Sequence, residues 1–219
     1  MENWEKVVEH ATAVFSAPGN SYSLFDMTNV NYPNAINTGG FPHPFTLNNP
    51  EILFFYASDE EHEVVTSDYY AKCFMASDQL RNCYSNEDQR WNGYLCPYGE
   101  AGDEKKSSKF ARELKFGACI RLSEAYLNRA EAYANLAKIG GNEYFGKALS
   151  DLNTIREKRI KNYASQAWTN STFNNNADNL IENCREERRR EFCFEGMRWF
   201  DLRRYGMQSF SHRLDESTN

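Results

Sequence analysis

Apolar residues recur at helical spacing in three stretches of the chain. Trp4, Val7, Ala11 and Val14 form the first stripe, with Glu5, Lys6, Glu9 and His10 between them. Steps of three and four put such residues on one helix face, and Pro18-Gly19 stops the helix. From Ser108 onward the pattern predicts helix again. Leu122, Tyr126, Ala130, Tyr133 and Ala137 make one stripe, which Gly140-Gly141 closes. Phe145, Ala148, Leu152 and Ile155 make the next. Two stripes joined by a short connection predict an antiparallel helical hairpin. A last helix is expected over Ala177–Glu195, with Asp178 as a cap near its start.

The hairpin has the large-small-aromatic and +4, +3 spacing of a tetratricopeptide repeat, although its loop is longer than a standard repeat allows. The opening stripe repeats the steps of the hairpin's second helix. Residues 1–18 therefore read as the second helix of a repeat whose first helix is absent, which makes the chain a fragment.

Residues 19–110 differ. Turn formers dominate and periodicity is poor. Glu51–Tyr56 is an apolar run suited to a strand or extended segment, and Asp78–Arg90 to a short helix. The expected organisation is a repeat helix over 1–18, a loop-rich ligand-facing region over 19–110, a hairpin over 111–160 and a C-terminal helix over 161–219. The fold class is mainly α with minor β.

Composition narrows the function. The net charge of -6 at pH 7 gives little attraction for phosphate backbones, so no nucleic acid is expected as a partner. No run approaches the ~20 apolar residues of a membrane span. Six cysteines, at 73, 83, 96, 119, 184 and 193, lack zinc-site spacing and read as free thiols, with a disulfide among 73, 83 and 96 left open. Glu60-Glu61-His62-Glu63 reads as an acidic loop, and no metal or cofactor is expected. Neither a Gly-x-Ser-x-Gly elbow nor a phosphate loop is present.

Glu187, Arg188, Glu191, Glu195, Arg198 and Asp201 invite an acid–base reading. Their i, i+3 and i+4 spacing points instead to a structural ion-pair network fixing the last helix. An amphipathic ligand such as a sugar needs flat apolar faces beside fixed hydrogen-bond partners. The loop-rich region offers Tyr22, Tyr32, Trp91, Tyr94, Asn31 and Asn92 among others, with Tyr32, Trp91, Tyr94, Asn31 and Asn92 the candidate ligand-binding residues.

Three blocks resemble the SusD/RagB family. They are Arg121–Tyr133 (RLSEAYLNRAEAY), Ala148–Arg156 (ALSDLNTIR) and Glu187–Gly206 (ERRREFCFEGMRWFDLRRYG). A weaker fourth is Asp78–Arg90. The resemblance implies a SusD-like α/α superhelix and a non-catalytic lipoprotein on the outward face of the outer membrane of Bacteroidetes-like bacteria. It also implies binding of oligosaccharide, polysaccharide or another nutrient, with a SusC-like TonB-dependent transporter as partner. Family members are longer and start with a lipidated cysteine, an anchor absent from this chain. The alternative is a tetratricopeptide-like adaptor for a protein or peptide.

Overall fold

The computed structural model describes residues 3–30, 49–55, 75–98, 104–107, 109, 119–207 and 209. Among them the chain is mainly helical with a minor β component. Helix α1 spans Trp4–Phe15 and is capped by Asn3, whose side chain accepts from the Lys6 amide at 3.0 Å. At its end the Asn20 side-chain amide donates to the carbonyls of Val14 and Phe15. It thereby satisfies groups that a helix terminus leaves free.

Strand β1 (Ile52–Phe55) is followed by two single-turn helices, α2 (Asp78–Arg81) and α3 (Arg90–Gly93). The one short helix expected here is therefore two, separated by turns. Strands β2 (Leu95–Tyr98) and β3 (Glu104–Ser107) pair antiparallel. Strand β4 (Cys119–Arg121) pairs antiparallel with β1, Ile52 opposite Arg121. The helix expected from Ser108 starts, among the described residues, only at Leu122. The preceding Cys119–Arg121 are committed to β1, and the Leu122 amide donates to the Glu51 carbonyl at 2.8 Å.

Helices α4 (Leu122–Lys138) and α5 (Asn142–Glu157) form the hairpin. Gly140 takes φ +117°, a conformation that favours glycine. A Cβ on Gly141 would lie 2.3 Å from the Tyr144 ring. Helix α4 is central and packs on α1, α5 and α6 (Ala177–Glu191). The expected stripe supplies Ala130 to the main core, with Tyr126, Tyr133 and Ala137 packed against it; Phe15 meets Tyr126 at 4.4 Å and Tyr133 stacks on Tyr144 at 5.7 Å. Leu127 and Ala134, which fall outside the stripe, join the same core, with Leu152 and Ile155 of α5 and Leu180 and Cys184 of α6. Ala130, Ala134 and Ala148 are fully buried, and their small size lets the helices approach closely.

Helix α6 is capped by Asn176, which accepts from the amides of Asp178 and Asn179, and not by Asp178 as expected. Asp178 instead pairs with Lys138 on the surface. The helix also ends at Glu191, short of Glu195. Phe194 and Gly196 take positive φ there and turn the chain into α7 (Met197–Arg204). A second apolar cluster gathers Met27, Leu80, Tyr94, Leu95 and Cys193.

Cys83, Cys119, Cys184 and Cys193 are free thiols. Burial pushes the Cys119 thiol up to about 11. No helix among the described residues is long and apolar enough to cross a membrane.

Candidate functional site

The charged residues of α6 meet partners from four other segments. Glu191 is 0% exposed. One of its carboxylate oxygens accepts from the Tyr94 hydroxyl, Arg121 and Arg159, each at 2.9 Å. The other accepts from Arg90 at 3.2 Å and from Arg159 Nε at 3.1 Å. Glu195 pairs with Lys109 at 2.5 Å and Arg121 at 2.8 Å. Glu51 pairs with Arg159 at 2.6 Å. Asp88 holds Arg90 through two hydrogen bonds of 2.9 and 2.7 Å. Glu187 faces Arg90, Arg156 and Arg190.

Burial by itself would push the Glu187 and Glu191 carboxyls up. The surrounding guanidinium groups outweigh it and hold both well below the usual carboxylate range. These groups are therefore ionised, paired and out of reach of a substrate. That geometry suits a structural tie and not proton transfer, because a general acid or base must reach the group it serves.

Arg188 and Asp201 belong to a neighbouring cluster. Arg188 Nε lies 2.9 Å from both Asp201 oxygens, and its Nη1 donates to Asn128. Arg204 reaches Asp201 and grips Glu131 with bonds of 2.7 and 2.6 Å. Arg198 is the exception to the expected network. It is half-buried and makes no ion pair among the described residues. The Asp201 carboxylate three residues on is already taken by Arg188 and Arg204.

The expected ligand residues are dispersed. Tyr94 is 0% exposed and its hydroxyl is spent on Glu191, so it is a core residue and not a ligand platform. Trp91 and Asn92 are half-buried within α3, Trp91 against Tyr84 with ring centroids 5.6 Å apart. Asn31 and Tyr32 lie outside the described residues, as do Glu60–Glu63. Among the described residues no cluster of His, Cys, Asp and Glu is placed to hold a metal.

A groove of about 310 Å³ opens where α1 ends, α4 begins and α5 finishes. Tyr22, Phe15 and Tyr126 give it aromatic surface; Asn20, Thr154 and Lys158 give it polar groups. Tyr22 is 45% exposed, and the Lys158 ammonium is oriented by Asp26 at 3.1 Å. Flat apolar area beside oriented polar groups is what an amphipathic ligand requires. Tyr22 stood among the loop aromatics, whereas Phe15, Tyr126 and Lys158 did not. Helical periodicity assigns Tyr126 to packing and carries no sign of its half-exposed edge, and nothing local sets Phe15 or Lys158 apart.

The architecture is that of a helical-repeat scaffold with long connecting segments tied to it by buried charge. The chain belongs to the SusD family, whose family model matches residues 28–217. Its fold is similar to that of a SusD-like protein from Bacteroides fragilis NCTC 9343, with a TM-score of 0.52 at 16% identity. The match covers 92% of this chain and 51% of that one, so the chain spans about half the length of that structure. No curated protein matches the sequence.

Proposed function

We propose that the chain is part of a non-catalytic, outward-facing outer-membrane protein that binds glycan or a similar nutrient and works with a SusC-like TonB-dependent transporter. Membership of the SusD family over residues 28–217 carries this reading. The aromatic groove beside Tyr22 supports it, since sugar rings present an apolar face and a rim of hydroxyls. The same family membership weighs against a protein- or peptide-binding adaptor.

Affinity electrophoresis of the 219-residue chain through gels containing neutral polysaccharides tests the binding role. Retardation by at least one polysaccharide is expected. Tyr22→Ala should weaken that binding about tenfold, the equivalent of ~1.4 kcal/mol. Absence of retardation across a broad panel, or indifference to Tyr22→Ala, argues against the groove. Co-purification of the full-length parent with a TonB-dependent transporter tests the partnership, and a parent that purifies without one counts against it.

A further inference from the structure

A second concavity, of about 210 Å³, lies near the end of α5, lined by Arg156, by Trp168, by Cys83 in the turn after α2 and by Asn183 and Arg190 of α6. Its floor is formed by Arg156 and Arg190, which are 8% and 9% exposed. Both guanidiniums turn to the same carboxylate, Glu187, at 3.1 and 2.7 Å. Neither has another carboxylate partner among the described residues. Asp88 also lines the pocket, but its two oxygens are matched by Arg90. Glu186, near the rim, is within 3.8 Å of Arg189 and accepts from the Cys83 thiol. The two buried cations that line the pocket thus share one anion, which Arg90 also contacts, and positive charge is in surplus among them.

The Arg156 guanidinium is stacked over Trp168 at 3.6 Å, which fixes its plane, and its Nε is buried without a hydrogen-bond partner. Arg190 is fixed by the Cys83 carbonyl at 3.1 Å. The walls add two amide side chains. Gln166 donates to the Lys161 carbonyl and Asn183 to the Asn179 carbonyl, which leaves both amide oxygens to accept from hydroxyl groups. Fixed guanidiniums are the groups that recognise carboxylates in two-point fashion.

We propose that this pocket binds a carboxylate carried on a small hydroxylated ring, an acidic sugar of the uronic acid type. The anion part stands on the two arginines alone, and the sugar part rests on the glycan-binding reading above. The carboxylate takes the arginine floor and the ring hydroxyls take the oxygens of Gln166 and Asn183.

Calorimetric titration of the 219-residue chain with glucuronate, glucose and acetate tests it. Glucuronate should bind about tenfold or more tightly than glucose and acetate, and added salt should weaken it. Asn183→Asp places a negative charge at the rim without touching either arginine. It should weaken glucuronate about tenfold while the circular dichroism spectrum stays unchanged. Tyr22→Ala should leave glucuronate binding as it was, so failure of the groove and failure of this pocket are read separately. Equal binding of glucose and glucuronate, no glucuronate binding, or indifference to Asn183→Asp overturns the proposal. Acetate as tight as glucuronate overturns its sugar part.

Discussion

The apolar core of the hairpin and the charged layer around Glu191 are both buried, yet they do different work. The core joins helices that are near one another in sequence, through Ala130, Leu152, Ile155 and Cys184. The charged layer joins segments that are far apart. Apart from local bonds such as that from Arg90 to Asp88, its hydrogen bonds on Glu191 and Glu51 link residues separated by 32 positions, as between Arg159 and Glu191, up to 108, as between Arg159 and Glu51. Apolar packing is indifferent to direction, whereas each guanidinium bond fixes one atom against another. The difference teaches that the helices supply the platform and the ion pairs fix where the irregular segments attach to it.

The sharpest way to break this comparison is Glu191→Gln. It keeps the shape but leaves Arg90, Arg121 and Arg159 short of a counter-charge, and should cost about 3–5 kcal/mol in denaturant unfolding. Acid removes the same charge without mutation. Glu187 and Glu191 have lowered folded-state values, so their contribution is fully present above the ordinary carboxylate range and is lost as pH falls below about 4. A thermal melt series should show that loss in the wild type and a shallower one in Glu191→Gln. Leu152→Ala, in the apolar core, should cost about 3 kcal/mol and leave the steepness of the acid loss as in wild type. A Leu152→Ala cost well above that of Glu191→Gln would reverse the ranking of the two regions. Asn176→Ala removes a helix cap outside both and should cost about 1 kcal/mol. Lys138→Ala breaks the exposed pair with Asp178 and should shift stability by at most about 0.5 kcal/mol.

The same contrast explains what was legible in the sequence. The hairpin was, because Tyr126, Ala130 and Tyr133 and then Ala148, Leu152 and Ile155 repeat at the period of the helix that they bury. The share that Leu127 and Ala134 take in the same core was not, since they fall between the residues of that stripe. Glu187, Glu191 and Glu195 stood out because they are spaced along one helix. Glu51, Asp88, Arg90, Lys109 and Arg159 did not, since nothing local distinguishes an arginine awaiting a partner far along the chain from one in water. Tyr94 reads as a ligand residue for the same reason: it lies in a loop-rich stretch without periodicity, whereas in space it joins Met27 and Leu80 in the second apolar cluster and donates to Glu191 far along the chain. The end of α6 was misplaced because helical charge spacing continues to Glu195 while the backbone has already turned at Phe194.

The convergence of Arg90, Arg121 and Arg159 on one carboxylate also constrains how such a sequence can drift. A change at Glu191 strands three cations at once, and a change at any one arginine leaves the others holding an altered share of the same charge. Substitutions at these positions are therefore epistatic: viable variants should alter carboxylate and guanidinium together, while the segments between the anchor points are free to diverge one residue at a time.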